Sequence, residues 1–154
     1  MTAELNRDVL LVEDNPGDAR LVEEAFRESG DPGRLHHVVD GVAAMEFLRR
    51  DGGYENAPRP ALILLDLNLP RMSGREVLAE VKRDPVLAQL PVVALTTSQS
   101  VQDVARCYEL GVNAYLVKPV DLDKFLEAIH KLNRFWFHIA TLPVHRGSKT
   151  GARA

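Results

Sequence analysis

Ala61-Leu62-Ile63-Leu64-Leu65 is a continuous apolar run that stops at a carboxylate, Asp66, and is followed by Leu67-Asn68-Leu69-Pro70. A strand with one wet face alternates apolar and polar residues. Five apolar residues in a row mean a strand covered on both faces, as in a parallel sheet flanked by helices. The same signature recurs in Val9-Leu10-Leu11-Val12, in Pro91 to Leu95 and in Ala114-Tyr115-Leu116-Val117, and Leu35 to Val39, which contains His36 and His37, is a further strand candidate.

Between these runs the period changes to that of a helix. Asn15 can cap a first helix, with Pro16 at its first position and Leu21, Val22, Ala25 and Phe26 on one face. Gly30-Asp31-Pro32-Gly33 breaks the chain. Asp40 can cap a second helix carrying Ala44, Met45, Phe47 and Leu48, and a Gly- and Pro-rich loop spans Asp51 to Pro60. Ser73-Gly74-Arg75-Glu76 reads as a capping box opening a third helix with Val77, Leu78 and Val81 inward. Ser100 to Leu110 is the fourth helix, stopped at Gly111. Asp121 caps the fifth, with Leu122, Phe125, Leu126, Ile129 and Leu132 on one stripe. Five strands alternating with five helices predict an α/β fold. It is a single doubly wound, flavodoxin-like (βα)5 parallel sheet in the order 2-1-3-4-5, with a C-terminal extension.

The chain of 154 residues favours one domain, and its 45% apolar and 27% charged residues are ordinary globular usage. A net charge of −3 speaks against a nucleic-acid binder. The N-terminus has no apolar signal segment and no run approaches a membrane span, so the expected location is the cytoplasm. The single cysteine, Cys107, lies in an apolar helical pattern and is expected in the core. The organisation expected is a globular unit over residues 1–134, an aromatic extension over 135–143 and a flexible tail over 144–154.

In an open α/β sheet, ligands bind beyond the carboxyl ends of the strands. There the sequence places Glu13-Asp14 after the first strand, Asp66 after the third, Thr96 after the fourth and Lys118 after the fifth. Each has an ordinary alternative: Asp14 as a helix cap, Thr96 as a strand residue, Lys118 as a solvated lysine. Asp66, directly after a buried run, has little structural use, and the alternatives weaken together because the positions converge. Clustered carboxylates repel one another and call for a cation. Oxygen ligands in a small open site suit Mg2+ better than Ca2+, and the lack of His or Cys at the strand ends argues against zinc. His36, His37 and His130 are taken as structural or surface residues. A metal, a free carboxylate, a hydroxyl and an ammonium together suit phosphoryl transfer to an aspartate.

Val12-Glu13-Asp14-Asn15, Leu65-Asp66-Leu67-Asn68-Leu69-Pro70 with the later Gly74, Leu95-Thr96-Thr97-Ser98 and Tyr115-Leu116-Val117-Lys118-Pro119, in that order and spacing, resemble the response-regulator receiver family over about Asp8 to Arg134. The resemblance implies that Asp66 is the phosphoacceptor. It implies that Asp14 binds Mg2+ directly and Glu13 through water, with the Asn68 carbonyl as a further ligand. It implies that Thr96 turns toward the phosphoryl group, that Lys118 pairs with it, that the Lys118–Pro119 bond is cis, and that Tyr115 is the aromatic switch. No residue of the core set is missing, which speaks against a phosphorylation-independent receiver. Glu13-Asp14-Asn15-Pro16-Gly17-Asp18, Lys118-Pro119-Val120-Asp121-Leu122 and Phe135-Trp136 followed by Thr141-Leu142-Pro143 resemble more narrowly the small stand-alone receivers that pair with phytochrome-type histidine kinases. That implies a phosphohistidine donor on such a kinase and output through a separate, unidentified downstream protein.

Two other readings use the same fold. A flavodoxin-like cofactor binder needs a phosphate-holding Ser/Thr/Gly loop where this chain has acids. An aspartate-nucleophile hydrolase wants a second acid where this chain has Asn68. Phe135, Trp136, Phe137, Ile139 and Leu142 follow the last helical stripe, and one helix cannot turn three adjacent aromatics toward its own core. They are expected to form a homodimer contact, with folding back over the chain's own sheet as the alternative.

Overall fold

The structure is a computed structural model, and it describes residues 7–29 and 34–143. The break at Gly30–Gly33 and the tail over 144–154 lie outside the described residues. The elements run β1 (Val9–Val12), α1 (Pro16–Glu28), β2 (Leu35–Val38), α2 (Gly41–Arg49), β3 (Leu62–Leu65), α3 (Gly74–Arg83), β4 (Val92–Thr96), α4 (Val101–Glu109), β5 (Ala114–Val117) and α5 (Leu122–Arg134). A 3-10 turn (Leu87–Gln89) precedes β4, and a π-helical turn (Phe135–Ile139) continues α5. The five strands form one parallel sheet in the order β2-β1-β3-β4-β5. The register sets Val12 beside Leu65, Leu65 beside Ala94 and Thr96 beside Val117, so the polar residues that follow these positions leave the sheet along one edge.

Alternate side chains of the buried strands feed two cores, because successive residues of a strand point to opposite faces. Leu10, Val12, Ile63 and Leu65 pack with α2 and α3 residues such as Leu48, Val77 and Leu78. Val9, Leu11, Leu62 and Leu64 pack with Val22, Ala25, Phe125 and Ile129 of α1 and α5. Each fully buried Leu or Ile contributes about 1.5–3 kcal/mol. The caps are those expected: Asn15 accepts from Asp18 N, Asp40 from Ala43 N and Asp121 from Lys124 N, and Ser73 and Glu76 form a capping box.

The boundaries differ slightly from expectation. β4 extends to include Thr96, and β2 ends one residue early at Val38. Leu122, the first residue of α5, does not join its stripe and is 54% exposed. Cys107 is fully buried, as expected, and burial pushes its thiol up. Among the described residues no helix is long and apolar enough to cross a membrane.

Candidate phosphoryl-accepting site

β1, β3, β4 and β5 each deliver one part of the site at their carboxyl ends. Main-chain bonds hold the parts in place: Asp66 N donates to Val12 O (3.0 Å) and Lys118 N to Thr96 O (2.8 Å). Glu13, Asp14 and Asp66 offer carboxylate oxygens that all lie within 4.8 Å of one another. Glu13 and Asp66 are buried, while Asp14 is exposed at the mouth. The three acids predicted to meet do meet.

Lys118 enters beneath them. Its Nζ donates to Glu13 Oε1 (2.6 Å), Asp18 Oδ2 (2.9 Å) and, at greater length, Asp66 Oδ2 (3.4 Å). Burial works against the ammonium, but the bonds to Glu13 and Asp18 and the charges of Glu13 and Asp66 outweigh it and hold Lys118 above the usual lysine range. Burial pushes Glu13 up to about 7, against the pull of Lys118 and with the Asp66 charge adding to the rise. Three carboxylates thus share one ammonium and Asp14 adds a fourth negative charge beside them, a charge balance that fits a divalent cation. Both Glu13 oxygens are engaged, Oε1 by Lys118 and Oε2 by Asn15 N at 3.1 Å. The exposed Asp14 has the open approach.

Asp66 Oδ1 accepts from Asn68 N (3.3 Å), and Asn68 itself is exposed. Thr96 is fully buried, its Oγ1 accepting from Ser98 N (3.4 Å). Tyr115, the implied aromatic switch, lies on β5. It is half-buried against the α2–α3 core, and its hydroxyl donates to Ser98 O (2.9 Å). Burial also raises the phenol above its usual range. The expected cis bond is not found. No described peptide bond is cis, so Lys118–Pro119 is trans. An X–Pro bond prefers trans by about 0.5–1 kcal/mol, and from it Lys118 already reaches its three acceptors.

Several residues of the site were not singled out from sequence. Asp18 lies in the first turn of α1, and its position just after the β1 acids is the signal that could have found it. His37 of the neighbouring strand, taken from sequence as a structural or surface residue, donates from Nε2 to Glu13 O (2.7 Å). Ser98 Oγ donates to Asp103 of α4, and Arg75 Nη1 of α3 donates to the other Asp103 oxygen (3.1 Å). Arg71, with φ +68°, grips Asp40 through two bonds of 3.0 and 3.1 Å, tying the loop after β3 to the start of α2. His36 and His130 pair with Asp8 and Glu28 away from the acids, as structural or surface residues would.

The extension divides as helical geometry requires. Trp136 and Phe137 are half-buried against the α1–α5 core, whereas Phe135 (47%) and Ile139 (64%) are exposed. Phe135 meets Trp136 edge to face at 5.2 Å, and Leu142 is half-buried. Part of the segment therefore folds back on the chain's own core and part faces outward.

Residues 9–130 match the response regulator receiver domain. Response regulator Rcp1 of Synechocystis sp. is 50% identical over 135 residues, covering 88% of this chain and 92% of Rcp1. The Mn2+-bound crystal structure of Rcp1 superposes with a TM-score of 0.87 at 49% identity, over 90% of this chain and 99% of that one. The phosphorylated cyanobacterial phytochrome response regulator RcpA superposes with a TM-score of 0.88 at 46% identity, over 91% of this chain and all of that one.

Proposed function

The chain belongs to the response regulator receiver domain family, and from that premise we propose that it is a signalling switch whose Asp66 takes a phosphoryl group from a histidine kinase of the phytochrome type. The observation that carries this is the placement of Asp66. It is a buried carboxylate with an ammonium on one oxygen, a backbone amide on the other, and two further acids within 4.8 Å. A histidine kinase supplies the phosphoryl group as phosphohistidine. An Asp66 oxygen forms a bond to phosphorus, the donor's P–N bond breaks, and the imidazole leaves with the electron pair. In hydrolysis, water adds to phosphorus and loses a proton to solvent, and the bond to Asp66 breaks to return the carboxylate.

Mg2+, a small hard cation suited to carboxylates and waters, would be held by Asp14 and Asp66 directly, by the Asn68 carbonyl, and by Glu13 through water, and would offset charge on the transferring group. The double engagement of Glu13 supports the water-mediated role. Lys118 neutralises phosphoryl oxygens, and Thr96 donates its hydroxyl to them. Tyr115 reads the position of the loop after β4 through its bond to Ser98 O. Residues 1–134 act as the receiver, and Phe135, Trp136, Phe137, Ile139 and Leu142 within 135–143 form a homodimer contact. The output is carried by binding a separate protein, and the expected place of action is the cytoplasm.

The test is phosphorylation by acetyl phosphate, or by a phosphorylated histidine kinase, with and without Mg2+. Modification should require the ion and vanish in Asp66→Asn, with the circular dichroism spectrum unchanged. Labelling that persists in Asp66→Asn, or in excess chelator, would overturn the proposal.

A further inference from the structure

Lys118 carries one carboxylate more than phosphoryl transfer needs. Its three ammonium protons face three acceptors, and the one within shortest reach after Glu13 is Asp18, not Asp66. The four groups differ in their access to water. The side chains of Lys118, Glu13 and Asp66 are 5%, 2% and 9% exposed, whereas that of Asp18 is 26% exposed. Asp18 also stands in the first turn of α1, where its own N–H is capped by Asn15 Oδ1 (2.9 Å) and the helix N-terminus favours a negative charge.

A phosphoryl group on Asp66 brings oxygens that need a cationic donor. The long bond to Asp66 Oδ2 (3.4 Å) gives way to a phosphoryl oxygen, and Lys118 can draw closer to the group only by loosening a second partner. Glu13 is a poor choice, because a buried carboxylate left without its ammonium is costly. Asp18 is the cheaper one to release: water reaches it, and the helix terminus keeps it charged. We infer that Asp18 is a positioning residue that holds the Lys118 ammonium back from Asp66 in the unphosphorylated protein and is exchanged for phosphoryl oxygens, so that it weakens the phosphorylated state relative to the free one. This rests on the function proposed above. No bond is made or broken in the step; one acceptor replaces another on Nζ.

Removing the competitor should therefore tighten the hold on a phosphoryl group. Beryllofluoride, a non-covalent phosphoryl mimic, gives an equilibrium measure free of kinase or acyl-phosphate chemistry. Full-length protein in saturating Mg2+ would be titrated with it and read by 19F NMR, and Mg2+ affinity would be measured separately by calorimetry. Asp18→Asn keeps size and leaves the backbone cap in place. It should bind beryllofluoride about two- to fivefold more tightly, the range expected for a part-exposed ion pair. Mg2+ affinity should stay with wild type, since Asp18 is not one of the three clustered acids. Asp18→Glu, which restores the charge, should return beryllofluoride affinity toward wild type. A merely structural role would lower melting temperature and move both affinities together. Unchanged or weaker beryllofluoride binding in a folded Asp18→Asn protein overturns the inference and leaves the proposed function standing. No beryllofluoride binding by wild type overturns both.

Discussion

Gly74 is pressed against the main chain of Asp66: a β-carbon at position 74 would stand 2.1 Å from the Asp66 carbonyl oxygen and 2.6 Å from Leu67 Cα. Gly74 N also donates to Leu67 O (2.9 Å), so α3 begins in direct register with the residue that carries the site. The atoms in the way are backbone, and no rotamer change relieves them. Gly74→Ala should destabilise the protein by about 1–3 kcal/mol, as overpacking does, which thermal unfolding would register as a lower melting temperature. It should also slow Asp66 phosphorylation more than the stability loss explains, since a displacement on the order of 1 Å can cost up to about 100-fold.

Thr96 and Tyr115 meet through Ser98, which offers its N–H to one and its carbonyl to the other. Thr96→Ala should still accept a phosphoryl group, because Asp66, Lys118 and the acids are untouched. It should fail to change partner affinity on phosphorylation. Equal affinity shifts in wild type and variant, measured by binding titration before and after phosphorylation, would show that the loop after β4 is set by other contacts.

Asp40 does two jobs with one carboxylate, capping α2 at Ala43 N and taking both bonds from Arg71. Asp40→Ala should cost about 1–2 kcal/mol through the cap alone. Asp40→Asn keeps the cap and should cost less. The hydrogen bond from Arg71, helped by that of Ala43, holds the Asp40 carboxyl below its usual range. A depressed folded value means that the stabilisation is fully present above the ordinary aspartate range near pH ~4 and is lost as pH falls through the lower folded value. Denaturant melts of wild type and Asp40→Asn should therefore converge toward acid pH and separate at neutral pH.

Phe135 and Ile139 are the large apolar residues of the extension that stay exposed. If they form the dimer contact, Phe135→Ala with Ile139→Ala should shift light-scattering mass from dimer to monomer while the melting temperature of the fold changes little. Truncation after Arg134 should also yield monomer, with an added stability loss because Trp136 and Phe137 pack on the α1–α5 core. A doubly substituted protein that remains dimeric would remove these two side chains from the contact.

The sequence by itself determined the sheet, its five helices and the edge on which Glu13, Asp14, Asp66, Thr96 and Lys118 gather. These depend on local signals: continuous apolar runs for covered strands, a 3.6-residue period for helices, and caps such as Asp40 and Ser73 that satisfy amides within a few residues of themselves. What tertiary structure alone decided is how the convergent groups divide their bonds. Asp18 and Lys118 are 100 positions apart and Glu13 and Lys118 are 105 apart, so nothing local indicates which carboxylate lies nearest the ammonium. The same holds for the Tyr115 hydroxyl on Ser98 O, for Arg71 on Asp40, for the split of the aromatic extension between core and solvent, and for the trans bond before Pro119. Each is set by rotamers and by competition among neighbours that exist only once the sheet has brought its strand ends together.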